Sequence, residues 1–481
     1  MQLQFLGAAG TVTGSKSVLR YDGHAIMVDG GLFQGVKHYR ERNWANLPIP
    51  IAEIEAIVLT HAHLDHSGYV PVLARQGYRG PVYCTPGTRE LCAVLWPDAA
   101  HLQEEDAAYA NRKGFSRHKP AQALFNLVDA QRALDLLHEV EFDQPIPLPG
   151  GLQGRFSPAG HIIGAACLSL LWRGQHIVFS GDVGRPQDPI MRPPRPLPAA
   201  DILVLESTYG DRLHAHEDVA ERLSSLIHHT AAHGGKLIIP AFAVGRAQTI
   251  LYLLCQLRDA GRIPALPIYL NSPMAVKATE IFYRHVDEHR LQASDVEKLR
   301  HTVHYVESTQ DSIALCGRPG PMIIVSASGM ATGGRVLHHL RQALPDPHSS
   351  VLFIGFQAPG TRGDLLVRGA TTIKLLGADI PVRCHIENMT SLSAHADQQE
   401  MLSWLASLPK PPRLTLINHG EPTASDALRT CLQRQLGYQA RVAEHLQSVD
   451  LQAYLAMNYS NQVAKRLDGV SQGVSSATVS S

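Results

Sequence analysis

The run Val58-Leu59-Thr60-His61-Ala62-His63-Leu64-Asp65-His66-Ser67-Gly68 constrains this 481-residue chain more than any other stretch. Four metal-competent side chains, His61, His63, Asp65 and His66, fall within six residues, where an apolar strand expected over Ile54–Leu59 gives way to a helix. Histidines at i and i+2 leave an extended backbone on the same side, while Asp65 and His66 turn with the chain toward a second position. The pattern implies two adjacent divalent-cation sites. Imidazole and carboxylate donors suit zinc, because calcium and magnesium prefer all-oxygen shells. Two cations need more than four ligands, so the fold must bring other strand ends to the same edge.

Three further strand ends offer candidates. His161 follows an expected strand Gln153–Ser157, Asp182 closes Ile177–Ser180, and His419 ends Leu414–Ile417. Each has a glycine beside it, which lets the backbone turn tightly. Charge and count assign His61, His63 and His161 to one ion and Asp65, His66 and His419 to the other, with Asp182 bridging. Two zinc ions per chain are expected, and such a pair lowers the pKa of a bound water enough to hold a hydroxide near neutrality. Asp29, in Val28-Asp29-Gly30-Gly31, reads either as a carboxylate orienting a ligand histidine or the water, or as an Asx turn.

The length predicts two or three domains. With 44% apolar and 18% charged residues the chain is globular, and its 43 basic and 43 acidic side chains cancel, which excludes a global field for polyanions. No apolar run approaches the roughly 20 residues of a membrane span, and no membrane partner is expected. The opening segment lacks a secretory pattern. Seven scattered cysteines, never in a C-x-x-C, read as reduced thiols of a cytoplasmic protein.

Short strands and Gly-rich turns dominate the first two hundred residues, with helices expected at Tyr69–Gln76, Thr88–Arg112 and Ala121–Val140. This predicts an α/β fold in which two sheets pack together under helices. After Glu206 strands and helices alternate regularly, which implies a parallel sheet in a second domain. From a strand expected at Val382–Ile386 the chain resembles the first domain again. The expected division is a first domain over 1–208 and 382–465, an inserted domain over 209–381, and a disordered Ser/Gly-rich tail over 466–481.

Asp29, His61-x-His63-x-Asp65-His66, His161 and Asp182 resemble, in this order, the four motifs of the metallo-β-lactamase superfamily. Glu206-Ser207-Thr208-Tyr209-Gly210, Ser393-Ala394-His395-Ala396-Asp397 and Asn418-His419-Gly420-Glu421 look like the three extra motifs of its β-CASP nucleases. That branch contains the 3′-end-processing endonuclease of pre-mRNA and the RNase J enzymes; the compact length here is most similar to its stand-alone prokaryotic endoribonucleases. The resemblance implies an αββα sandwich with an inserted α/β domain. A histidine at the last motif is associated with RNA-processing members, so His419 leans toward RNA as the partner; the resemblance implies cleavage to 5′-phosphate and 3′-hydroxyl ends, and a groove between two domains would admit single-stranded RNA and exclude a duplex. A DNA nuclease of the same branch and a small-molecule ester or thioester hydrolase are the alternatives. A homodimer is left open.

The departing 3′-oxygen needs a proton, and His395 is the candidate acid, with phosphate binding as its competing role. Glu206 is either its carboxylate partner or a strand-end surface acid; with Asp65 and Asp29 these complete the expected catalytic set. In the inserted domain, Ser328, Gly329, Gly333, Gly334 and Arg335 run from an apolar strand into a helix, either as an anion cradle or as a tight turn, and Arg362 is a further phosphate contact. The pairs His214/His216, His228/His229 and His338/His339 read as solvated loop or helix surface.

Overall fold

A computed structural model describes residues 1–114, 119–215 and 217–456; the tail expected at 466–481 and His216 lie outside the described residues. Two seven-stranded sheets face each other. One runs from the edge strand Ser448–Asp450 through Gln2–Phe5, Ser17–Tyr21, His24–Val28, Ala56–Val58 and Val82–Cys84 to Leu137–Glu139. The other runs from Ala440–Val442 through Leu414–Ile417, Ile202–Leu205, Gln175–Phe179, Ala166–Trp172 and Gln153–Pro158 to Pro145–Pro147.

The side-chain period of two explains both why the sheets stack and why their strands read as continuous apolar runs. Ile26 and Val28 of His24–Val28 meet Ile202 and Val204 of Ile202–Leu205 in the layer between the sheets, with Phe5, Phe156 and Phe179. Their sequence neighbours Ala25, Met27, Leu203 and Leu205 point outward under the helices. Each large side chain buried this way contributes about 1.5–3 kcal/mol.

Strand direction decides where function can sit. His24–Val28 and Ala56–Val58 are parallel, as are Gln175–Phe179, Ile202–Leu205 and Leu414–Ile417. Gln153–Pro158 is antiparallel to Ala166–Trp172, which is antiparallel to Gln175–Phe179, so Gln153–Pro158 shares their direction. The C-terminal ends of all six strands therefore open toward one edge of the sandwich.

The inserted domain is a six-stranded, wholly parallel sheet in the order Val303–Tyr305, Ile268–Leu270, Met322–Ser326, Lys236–Pro240, Ser350–Ile354, His385–Met389. The strand expected at Val382–Ile386 begins instead at His385. It pairs with Ser350–Ile354, so it closes the inserted sheet and does not resume the first domain. We place the return crossing at residues 390–397, where the chain next touches the sandwich. A second difference lies in the helix expected over Ala121–Val140. Asn126 and Asp129 form a reciprocal capping box that starts the helix at Leu127. It stops at Leu134 because Leu137–Glu139 extends to pair with Val82–Cys84 at the sheet edge.

One buried cation stands out. Lys16 is 2% exposed; its ammonium donates to the Gly31 carbonyl and lies 4.4 Å and 4.7 Å from the ring centres of Phe33 and Tyr69. Burial pulls its pKa from the ordinary 10.5 down to about 7. Between those values the unfolded chain holds a proton that the folded one has released, so this group's contribution to stability rises with pH. Lys16→Met keeps the volume without the charge. Its stability advantage over the parent in urea unfolding is expected to be largest near pH 7 and to shrink toward pH 10; an advantage independent of pH would contradict the assignment.

Candidate metal centre and active site

Six strand ends deliver the polar residues of the site. Asp29 follows His24–Val28, the histidine run follows Ala56–Val58, His161 follows Gln153–Pro158, Asp182 follows Gln175–Phe179, Glu206 follows Ile202–Leu205, and His419 follows Leu414–Ile417. The turns are made in two ways. At His161 and Asp182 the preceding glycine takes the left-handed conformation, Gly160 at φ +71° and Gly181 at φ +56°. At Asp29 (φ +60°) and His419 (φ +49°) the functional residue itself does so. For these two residues the surrounding hydrogen bonds must offset the strain.

The seven candidate ligands converge as two nests. In the first, His61 Nε2 and His161 Nε2 lie 3.1 Å and 3.2 Å from His63 Nδ1, and each is 3.5 Å from Asp182 Oδ2. In the second, His66 Nε2 lies 3.0 Å from His419 Nε2 and 3.2 Å from Asp182 Oδ1, with Asp65 Oδ2 3.6 Å from His419 Nε2. Asp182 thus turns one oxygen to each nest.

The donor set passes a simple geometric test for cations. Ligands bound tetrahedrally at the usual zinc distances stand about 3.3–3.4 Å apart. The observed separations match, and they bring ring nitrogens together that gain little from one another without a positive centre. Burial holds His61 and His161 far below the ordinary imidazole pKa and lowers His63 to about 4, so these rings are neutral and offer lone pairs. Burial alone would raise the Asp182 pKa; His419 and His66 beside it outweigh that and hold it well below the ordinary carboxylate value.

Asp29 is no isolated turn residue. Its carboxylate accepts from the Thr60 N–H (2.8 Å) and hydroxyl (2.9 Å) and from the Ser15 hydroxyl (3.2 Å), and it contacts His66 Nδ1 at 2.7 Å. That last bond leaves His66 Nε2 facing the second nest. Sequence reasoning missed Ser15 and Thr60, and also Thr208, whose hydroxyl lies 3.2 Å from His419 Nδ1. Nothing in their local pattern marks them, since small hydroxyl residues are common at turns.

Beside the nests stands a pair drawn from the two crossings of the inserted domain. His395 Nδ1 lies 3.1 Å from Glu206 Oε1, and His395 Nε2 points inward, 4.0 Å from Asp182 Oδ2. Glu206 is buried, and its carboxylate also accepts from the Val183 N–H (2.7 Å) and the Thr208 N–H (3.2 Å). Burial alone would lower the His395 pKa; the Glu206 carboxylate, with Asp182 and Asp65 beyond it, raises it above the ordinary value. Cations in the nests would act in the opposite direction, against the Glu206 bond.

The expected phosphate residues 328–335 follow the interior strand Met322–Ser326 of the inserted sheet, at its C-terminal end. Ser328 Oγ bonds Thr332, the Gly329 carbonyl accepts from Gln357, and Gly334 takes φ +76°. Arg335 donates to Asn271 Oδ1 and the carbonyls of Val306 and Glu307, and Arg362 donates to the carbonyls of Ala331, Thr332 and Lys374. Gly333 leaves open space above its α-carbon.

Two histidines expected on the surface are buried. His339 sits on the inner side of helix Val336–Ala343 against Asn271 and Cys316. His214 packs against the His395 loop.

Residues 10–227 match the model of the metallo-beta-lactamase superfamily, 247–366 the Beta-Casp domain, and 379–443 the Zn-dependent metallo-hydrolase RNA specificity domain. Ribonuclease TTHA0252 of Thermus thermophilus is 36% identical over 429 residues, covering 88% of this chain and 93% of that protein. The chain belongs to the β-CASP branch of the metallo-β-lactamase superfamily. Transcription termination factor FttA of Pyrococcus abyssi is 31% identical over 418 residues; the match covers 83% of this chain and spans 62% of that protein's length. A crystal structure of a protein of unknown function from Enterococcus faecalis V583 shares the fold at 13% identity, with a TM-score of 0.50 over 93% of this chain and 99% of that one. Among the described residues no helix is long and apolar enough to cross a membrane.

A site built this way couples cation binding to stability. Zinc added at about 1,000 times its Kd to chelator-stripped protein is expected to stabilise the fold by about 4 kcal/mol. Calorimetry should show that rise, and Asp182→Asn should lose most of it; an equal rise in both proteins would mean that the ion binds elsewhere.

Proposed function

We propose that this protein is a zinc-dependent endoribonuclease that hydrolyses single-stranded RNA to 5′-phosphate and 3′-hydroxyl ends. The observation that carries this reading is the placement of the Glu206–His395 pair beside two cation-shaped nests that share Asp182. The names of the relatives support RNA as the substrate class.

His61, His63 and His161 would hold one ion and Asp65, His66 and His419 the other, with Asp182 between them. Two divalent ions bound there supply Lewis acidity, which lowers the pKa of a water and neutralises the non-bridging phosphate oxygens. The chain's own groups do the rest. Asp29 keeps His66 in the orientation and tautomer that face the nest. His395 gives its Nε2 proton to the 3′-oxygen as the P–O3′ bond breaks, and Glu206 holds the opposite side of the ring and stabilises its charge. Ser328, Gly329, Gly333 and Gly334 offer backbone and hydroxyl contacts to phosphates farther along the strand. Arg335 and Arg362, whose donors reach carbonyls, shape that loop and add positive charge to it.

Incubating zinc-loaded protein with 5′-labelled single-stranded RNA and its DNA counterpart tests this directly. Internal cuts in RNA with 3′-hydroxyl ends are expected, lost in Asp182→Ala. Comparable cutting of DNA would make it a DNA nuclease, and no cutting of either polymer would overturn the nuclease reading. His395→Ala should slow cleavage about 10²–10⁴-fold. The deficit should largely vanish when a bridging sulfur, which needs no proton to depart, replaces the scissile 3′-oxygen. Asp29→Asn should weaken zinc affinity about 10–100-fold in chelator competition; an unchanged affinity would reduce Asp29 to a turn residue.

A further inference from the structure

The inserted domain leaves the sandwich through residues 206–214 and returns through 390–397, and these crossings are joined at His214. The side chain is 95% buried by its 5% relative exposure. Its Nε2 lies 2.9 Å from the main-chain oxygen of His395, and its own main-chain N–H donates to Asp397 Oδ2 at 2.8 Å. The ring packs 5.0 Å from that of Tyr209, which in turn lies 6.1 Å from the His395 ring, inclined by 30°. His214 therefore touches the backbone of the proposed acid on one side and, through Tyr209, its ring on another.

Other contacts define what His214 completes. The Ala396 N–H donates to the Val183 carbonyl at 2.8 Å, and Gly184 and His395 form a single antiparallel bridge. Glu206 holds the ring. These grips come from the sandwich and the outgoing crossing, and neither acts on the His395 carbonyl. Asp397 Oδ1 caps helix Gln398–Leu405 through the Glu400 N–H at 2.8 Å, and Glu400 reaches back to the Asp397 N–H and across to Arg185.

His214, Asp397 and Glu400 are close enough to suggest a third cation site. Most of their donors and acceptors are already committed: the imidazole Nε2 to a carbonyl, both Asp397 oxygens to N–H groups, and Glu400 to a guanidinium, while His214 Nδ1 is buried without a hydrogen-bond partner among the described residues. Burial and the Arg185 cation lower the His214 pKa, so the ring is neutral near pH 7 and carries one N–H, which the carbonyl acceptor fixes on Nε2.

We propose that His214 is a positioning residue for His395: its Nε2–H bond to the His395 carbonyl clasps the two domain crossings together and holds the acid at its distance from the reacting phosphate. This rests on the reading of His395 as the proton donor. A displacement of about 1 Å in a catalytic group can cost about 10²-fold in rate, so one bond to the backbone can matter greatly. The effect should fall on the proton-transfer step and leave RNA and zinc binding alone.

The test compares the full-length zinc-loaded protein with His214→Phe, which keeps a ring against Tyr209 and loses the donor, and with His214→Gln, whose amide can present an N–H near the position of Nε2. For His214→Phe, kcat on RNA should fall about 10–100-fold with KM within about twofold. On the 3′-bridging-sulfur substrate its loss should be under about threefold. His214→Gln should recover most of the rate, and all variants should bind zinc in the parent's stoichiometry by elemental analysis. Equal losses on oxygen and sulfur substrates, a loss confined to KM, or an unchanged kcat would overturn the proposal. If His214→Phe does not fold, His214→Asn carries the same comparison, because its shorter amide cannot reach the carbonyl. His395→Ala separates the two levels of argument. If it too loses equally on both substrates, the acid role fails and the clasp with it. If it is rescued by sulfur while His214→Phe is not, only the positioning role fails.

Discussion

Asp182 is the group on which the architecture of the site depends. A buried carboxylate is costly unless positive charge or hydrogen bonds surround it. Here its two oxygens face His61 and His161 on one side and His66 and His419 on the other, and those imidazoles come from three separate strand ends. Each partner is held by a turn whose geometry the sheets dictate. The parallel run of Gln175–Phe179, Ile202–Leu205 and Leu414–Ile417 puts Asp182, Glu206 and His419 side by side, and the facing sheet supplies Asp29 and the histidine run.

The inserted domain adds its chemistry at its roots. Glu206 lies where the chain leaves the sandwich and His395 where it returns, so the pair exists only when both crossings are seated. Val183, Tyr209, His214 and Asp397 tie those crossings together through buried hydrogen bonds and ring contacts. Such networks fix geometry well because each member, once buried, is expensive to leave without a partner. Domain seating and placement of His395 are thus one structural event.

Much of this was legible beforehand. The spacing of the histidine run, the glycines beside His161 and Asp182 and the β/α alternation after Glu206 all carried local signals that survive into the structure. What was not legible shares a cause. The strand His385–Met389 carries only Ile386 and Met389 as apolar residues, a pattern that assigns it to neither domain, and only its pairing with Ser350–Ile354 decides between them. Ser15, Thr60 and Thr208 are ordinary hydroxyl residues until the fold sets them beside Asp29 and His419. Arg335 and Arg362 read as free cations in sequence, yet nearby carbonyls take their donors.

By itself the sequence determined the residue types of the site, their order along the chain and the strand-to-turn context of each, because ligand spacing and backbone period are local properties. The tertiary structure decided which oxygen of Asp182 faces which nest, that Glu206 is buried against His395, and that His214, in a loop with no distinguishing pattern, lies under the His395 backbone. These are facts about residues dozens to hundreds of positions apart. Strand pairing and the closure of an inserted domain set their distances, and no local periodicity encodes either.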